Sequence, residues 1–239
     1  MKTLALIAQK GGTGKTTLAL SLAVMAVRDG LNVALIDLDP QTSAANWGDR
    51  RADAAPAVVC APVGRLVQIL DTARDNGADL AIIDTPGKSE QSSLAAARAA
   101  DLVLIPTRPQ IHDLETLPAS KQIVELSGST RAIAILNAVS PYGRRHEEAR
   151  AAIEQMGIEV CPVMVMQRAA FGDAPSTGQG VSEYEPGGKA AQEIEQIYKF
   201  IKQLLNKQTI RDDHGSLKLA GRAVSNGPRQ SRARAHGGK

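Results

Sequence analysis

Residues 9–17 read Gln-Lys-Gly-Gly-Thr-Gly-Lys-Thr-Thr, between the apolar run Leu4-Ala5-Leu6-Ile7-Ala8 and an Ala- and Leu-rich stretch over 18–27. The run reads as a buried strand and the stretch as a helix, so the glycines fall in a strand-to-helix turn. Gly11, Gly12 and Gly14 carry no Cβ, which lets the backbone curl inward and aim successive N–H groups at one anion. The helix after the loop points its positive end at the same place. Lys15 adds a charge for the β- and γ-phosphates of a nucleotide, and the Thr16 hydroxyl is placed to ligate Mg²⁺.

The common phosphate-loop pattern G-x-x-x-x-G-K-[ST] fails here at its first position, which is Gln9, and a second lysine, Lys10, stands directly before Gly-Gly. A tight glycine-rich connection would use similar residues. Only an anion-binding loop also calls for the strand before it and for Gly-Lys-Thr-Thr opening the helix.

A chain of 239 residues with 43% hydrophobic residues holds one substantial α/β core and a tail. Aromatic residues are 3% of the total, which argues against stacking of bases on aromatic platforms. Cys60 and Cys161 have no metal-ligand spacing and read as two reduced thiols of a cytosolic protein. No apolar run approaches the ~18 residues of a membrane span, and no signal peptide is expected ahead of the first strand. Charge is uneven: residues 206–239 carry a net +6 and the rest −3. We therefore expect a domain over 1–206 and a basic, disordered tail over 207–239, either an arm that grazes DNA or a solubilising segment.

Strand and helix patterns alternate along the domain. Strands are expected over 32–36, 56–60, 79–83, 102–105, 132–136 and 159–165, and helices over 42–51, 63–76, 90–100, 114–126, 144–156 and 188–205. Strands that are continuous apolar runs joined by helices imply an α/β fold: a mostly parallel twisted sheet with helices on both faces. Trp47 reads as packing.

In such a sheet ligands sit at the carboxyl ends of the strands. Two apolar strands end there in acid, at Asp37-Leu-Asp39-Pro40 and at Asp84-Thr85-Pro86-Gly87. A carboxylate closing a buried Ile-Ile run is costly unless it meets a cation, and nucleotide-bound Mg²⁺ is one. Asp84 fits a role in holding Mg²⁺ through water. Asp37 is placed to orient the attacking water or to stand near the metal, and Asp39 to support it. Either acid alone also suits a helix N-cap.

Lys10-Gly-Gly-Thr-Gly-Lys15-Thr16-Thr17, Asp37-Leu-Asp39-Pro40-Gln41 and Ile83-Asp84-Thr85-Pro86 together resemble the ParA/MinD family of deviant Walker A ATPases, P-loop NTPases of the SIMIBI type. The resemblance covers residues 1 to about 205 and is strongest to the ParA branch. Gln167-Arg168, Asp173-Ala174-Pro175-Ser176 with Gly178, and Glu185-Pro186-Gly187-Gly188-Lys189-Ala190-Ala191 resemble the ParA segment before and at its last helix. The resemblance implies ATP and Mg²⁺ as cofactors and a face-to-face homodimer around the nucleotide. In that dimer Lys10 reaches the other subunit's phosphates, acting in catalysis with Lys15 and Asp37, while Gly11 stays small where two loops meet. It implies nucleotide contacts from residues 10–17 (Lys10, Gly11, Gly12, Thr13, Gly14, Lys15, Thr16, Thr17), an adenine contact from Asn137, and metal contacts from Thr16, Asp37 and Asp84. It further implies non-specific binding to double-stranded DNA, with Arg168, Lys189, Lys199 and Lys202 as candidates, and slow hydrolysis stimulated by a ParB-like partner. The setting it implies is the cytoplasm, on the nucleoid, with no membrane, and the task is segregation of plasmid or chromosome DNA. Because the chain begins at the first strand, the N-terminal helix-turn-helix arm of larger ParA proteins is not expected.

Other readings stay open. A MinD-like membrane ATPase needs a lipid-binding amphipathic end, whereas residues 198–205 continue a helix that must cover the sheet, and the segment after Leu205 is polar. A nitrogenase-type reductase needs cluster-bridging cysteines, and the superfamily's tyrosine kinases have tyrosine-rich tails. A conjugation-accessory ATPase, or one that positions a protein cluster or organelle, would share site and dimer with another cargo. A nucleotide-held switch without useful turnover is a further alternative.

Overall fold

The computed structural model describes residues 1–128 and 131–222, with side chains as far as Lys207. The chain divides into two compact units, residues 1–202 and 203–239, and the sheet and the site lie in the first. Elements run in the order β1 (Lys2–Leu6), α1 (Lys15–Arg28), β2 (Val33–Asp37), α2 (Ser43–Gly48), β3 (Ala57–Cys60), α3 (Leu66–Asp75), β4 (Leu80–Asp84), α4 (Glu90–Ala99) and β5 (Leu102–Thr107). After them come α5 (Ile111–Leu114), α6 (Leu117–Ser127), β6 (Arg131–Leu136), α7 (Arg145–Gln155), β7 (Glu159–Val160), α8 (Ala170–Ser176), α9 (Val181–Tyr184) and α10 (Lys189–Arg222).

Among the described residues seven strands form one sheet in the order β3-β2-β4-β1-β5-β6-β7, with every paired neighbour parallel. β2 and β4 are buried along their whole length, which is why they read as unbroken apolar runs. On one face Ala5, Ile7, Ala81, Ile83, Val103 and Ile105 pack against apolar residues of α3, α4 and α6. On the other, α1 lies along β1, β2 and β4. The register sets Asp84 beside both Leu6 of β1 and Asp37 of β2, so the carboxyl ends of the central strands finish level.

Four segments depart from expectation. The strand expected over 159–165 is hydrogen-bonded as β7 for only two residues. Pro162 has no N–H to give, and pairing resumes when Val165 N–H donates to Leu136 O at 2.9 Å. The helix expected over 114–126 is α6, which starts only at Leu117, and a separate turn, α5, precedes it. The short helices α8 and α9 lie where no helix was expected; Pro175 inside α8 hides its periodicity. The 188–205 helix runs on to Arg222, so residues 207–222 of the expected disordered tail are helical. Gly215 and Gly221 weaken a helix by about 1 kcal/mol each, but no proline occurs between Leu205 and Pro228 to stop it. Residues 223–239 of that tail lie outside the described residues.

Trp47 is fully buried and donates Nε1–H to Gln179 O at 3.1 Å, a packing role. Both cysteines are free thiols, and burial pushes the Cys161 thiol up to about 11. No described helix is long and apolar enough to cross a membrane.

Candidate nucleotide site

The glycine-rich loop connects β1 to α1 at the centre of the sheet. Gly12 (φ 73) and Gly14 (φ 95) take left-handed backbone. Gly14 is excluded from carrying a side chain twice over, because a Cβ would also sit 2.0 Å from Asn137 Nδ2. Asn137, one residue past β6, donates Nδ2–H to Thr13 O at 2.7 Å and its own N–H to Thr107 O at 2.8 Å. The side chain expected to meet adenine therefore buttresses the phosphate loop. Gln9 is not among the non-glycine residues with positive φ, so the first loop position does not need glycine here. Its Nε2 donates to Ser93 Oγ of α4 at 3.2 Å.

Lys15 is buried, and its Nζ donates to Lys10 O at 3.4 Å. Burial lowers its pKa, while the nearby Asp84 and Asp39 charges oppose that shift. Thr16 Oγ1 donates to Asp84 Oδ2 at 2.6 Å. Asp84 is fully buried and its Oδ1 has no hydrogen-bond partner. Burial, reinforced by the Asp37 and Asp39 charges and opposed by Thr16 and Lys15, pushes its carboxyl up to about 7. An orphaned carboxylate oxygen beside a hydroxyl at the mouth of a phosphate loop is the donor set that Mg²⁺ takes from a protein when phosphates and water supply the rest. Among the described residues no cluster of three or more His, Cys, Asp or Glu side chains could hold a metal alone. Thr16 and Asp84 fit a metal that arrives with its nucleotide.

Asp37, fully buried at the end of β2, accepts from Asp39 N–H and from Ala44 N–H, each at 2.9 Å. The second bond ties it to the first turn of α2, although the N-cap residue of that helix is Thr42. Burial raises its pKa, and these amides pull the other way. Asp39 Oδ1 in turn accepts Gln41 N–H at 2.9 Å. Both Asp37 oxygens are thus engaged by the 37–44 loop, which they organise.

Three residues at the site were not singled out from sequence. Asp113 of α5 pairs through Oδ1 with Lys10 Nζ at 2.9 Å. Arg108, just past β5, lies over Gly12, where a Cβ would meet its Nη2 at 3.7 Å, and its buried Nε has no partner. Gly87 packs backbone to backbone against the loop: a Cβ there would stand 3.0 Å from Gly11 N. A Cβ on Gly11 itself would meet nothing within 4 Å on its own chain. For Arg108 and Gly87 the sequence does carry a signal, their place just past the carboxyl ends of β5 and β4.

The residues expected to face DNA do not form a row of free cations. Arg168 pairs with Glu193 at 2.6 Å, and Glu193 also accepts Met166 N–H, so this pair fixes the loop before α8. Lys199 pairs with Glu195 and Lys202 with Asp29, each at 2.5 Å, while Lys189, at the start of α10, is exposed.

A parallel sheet with a glycine loop at its central strand, a buried lysine, and a threonine of the first helical turn bonded to an aspartate at a strand end defines a P-loop nucleotide-binding protein. The chain belongs to the CobQ/CobB/MinD/ParA nucleotide-binding domain family, whose profile matches residues 4–181. It is 32% identical over 209 residues to the maintenance of carboxysome distribution protein A of Halothiobacillus neapolitanus, covering 82% of this chain and 94% of that one. It is 28% identical over 229 residues to the chromosome-partitioning ATPase Soj of Thermus thermophilus, covering 80% and 91%. The septum site-determining protein MinD of Pyrococcus horikoshii, solved with Mg-ADP, has the same fold, with a TM-score of 0.68 at 17% identity over 87% of this chain and 98% of that one.

Proposed function

We propose that the chain is a ParA-type ATPase that binds ATP with Mg²⁺, closes face to face with a second copy, and in that state binds double-stranded DNA without sequence preference. Hydrolysis, stimulated by a ParB-like partner, releases the DNA, and the cycle segregates plasmid or chromosome DNA over the nucleoid in the cytoplasm. The observation that carries this reading is Lys10. Its own loop already holds the buried Lys15, and Lys10 stays at the lip, 35% exposed, with its ammonium turned away to Asp113. A cation that its own site does not use suits the phosphates of another copy. Ile111 at the start of α5 and Tyr142 on the loop past β6, 65% and 85% exposed, put apolar surface on the same rim, and Gly11 leaves room for a close approach.

In this reading the N–H groups of residues 11–17 and Lys15 bind the phosphates, Thr16 and Asp84 hold the metal, and Asp37 leaves the α2 amides to orient water. When bound, Mg²⁺ offsets charge that develops on the phosphates. Asn137 keeps the loop shaped and offers its carboxamide edge to adenine. Lys189, Lys199 and Lys202 carry the DNA contact, since exposed pairs such as Lys199–Glu195 are worth little and exchange readily for phosphate. Arg168 contributes less, because its pairing with Glu193 is structural.

Sedimentation velocity with ATP–Mg²⁺, ADP–Mg²⁺ and no nucleotide tests the dimer. Binding to a duplex of arbitrary sequence across a salt series tests the DNA contact. Dimer and DNA binding with ATP alone are expected. Binding to liposomes in place of DNA would move the chain to the MinD-like reading. The 32% identity to a carboxysome distribution protein favours one second reading: the same cycle positioning a protein-built body. ATPase stimulation by a centromere-binding protein, or by an adaptor on such a body, separates the two.

A further inference from the structure

Lys10 and Asp113 form an ion pair whose two ends are unequal. The lysine end is 35% exposed at the lip of the loop, and the carboxylate end is 2% exposed. Asp113 Oδ2 has no hydrogen-bond partner, so among the described residues Lys10 is the one cation paired with this buried acid. A buried carboxylate is tolerated only while compensated; withdrawing its partner is far more costly than breaking a surface pair. Asp113 also belongs to the single turn α5, which carries the exposed Ile111 at its start. The ammonium and the apolar tip at the rim are thus fixed by one short element.

We propose that Asp113 is a latch on Lys10 that holds the free chain as a monomer. This rests on the reading of Lys10 as the lysine that reaches a second copy, and it adds how that reach is regulated. While Lys10 is seated on Asp113 it cannot extend to phosphates on another subunit. For it to leave, the triphosphate of a second copy must offer more than the buried carboxylate does. A nucleotide with fewer negative charges offers less, so the pair makes closure selective for ATP over ADP. Asp113 touches no reacting atom in this scheme; it positions Lys10 and sets the threshold for closure.

The test uses the full chain and the variants Asp113→Asn, Lys10→Gln and the double variant. Asparagine keeps the shape of Asp113 and removes the charge. The latch predicts that Asp113→Asn lowers the dimer dissociation constant in ATPγS by about tenfold and makes dimer detectable in ADP. It also predicts that this gain vanishes in the double variant, because it acts through Lys10. An unchanged or weaker dimer in Asp113→Asn, or a gain that persists without Lys10, overturns the proposal. A second measurement asks whether the pair exists in solution: a double-mutant cycle on the unfolding midpoint without nucleotide should show Lys10 and Asp113 coupled. Coupling indistinguishable from zero also overturns the latch. If the wild-type chain fails to dimerise in ATPγS although the cycle shows coupling, it is the proposed function that has failed, and the latch falls with it.

Discussion

Sixty-eight positions separate Thr16 from Asp84 in sequence, yet Thr16 Oγ1 donates to Asp84 Oδ2 at 2.6 Å. The contact joins the first turn of α1 to the end of β4 and puts a hydroxyl and a carboxylate side by side at the mouth of the phosphate loop. Replacing Thr16 by Ala removes one of the two protein groups suited to Mg²⁺. ATP affinity measured with Mg²⁺ should fall about 10- to 100-fold, while affinity in EDTA should barely move. Titration with a fluorescent ATP analogue in the two buffers gives both numbers.

Gly14 and Gly11 should respond in opposite ways to the same change. Alanine at 14 meets Asn137 Nδ2 and a backbone at φ 95, so Gly14→Ala should cost about 2–4 kcal/mol of unfolding free energy and abolish nucleotide binding. Gly11→Ala has open space around it and should leave the unfolding curve unchanged. If closure brings two loops together, Gly11→Ala should bind nucleotide as a monomer and fail to dimerise in ATPγS. Denaturant melts and sedimentation of both variants decide the matter.

Arg108 brings a guanidinium with an unpartnered Nε against Gly12. We expect Arg108→Ala to weaken ATP binding about tenfold, the scale of one charge-assisted bond to phosphate. Arg108→Lys should recover only part of it, because an ammonium cannot reproduce the planar fork. Equal affinity in wild type and Arg108→Ala, by calorimetry, would remove Arg108 from the site.

Glu183 forms both bonds of a fork with Arg51, each 2.9 Å, and Arg51 is only 4% exposed. Burial alone would raise the Glu183 pKa from the ordinary 4.5, but Arg51 and the Gly180 N–H outweigh it and leave it lowered. Its stabilisation is therefore complete above the unfolded value and disappears as pH falls through the lower folded one. Glu183→Ala should cost about 3 kcal/mol near neutral pH by stranding a buried guanidinium. The gap between wild type and Glu183→Gln should close as pH is taken from about 5 to about 3, which urea melts across that range will show.

The features legible in the sequence were local. The phosphate loop, the alternation of strands and helices, and Asp84 at the end of an Ile-Ile run each announce themselves within about ten residues, because strand and helix periods and glycine chemistry act at that range. Asp113 is different. Nothing near it in sequence marks it as the partner of Lys10; only the parallel order β1 beside β5 brings the two turns together. Asp37 was found, but its orientation depends on where α2 begins, which sequence patterns place only to within a few residues. α8 and α9 were missed because they run for seven and four residues, too few for a helical period to show.

The two ends of α2 are held by different things. Its first turn is tied to Asp37, while past its last residue Arg51 is clamped to Glu183 and to Gly178 O and lies over the Trp47 ring at 4.7 Å. There is no slack at the far end either, since a Cβ on Gly178 would stand 2.6 Å from the backbone of Arg50. A short rod pinned at the far end is held at the near one by Asp37 alone among these ties, so a release of that carboxylate would leave the Arg51 clamp as its pivot. The side chains along its exposed edge would then move as a set, which would carry a change at one carboxylate inside the sheet to the outer surface.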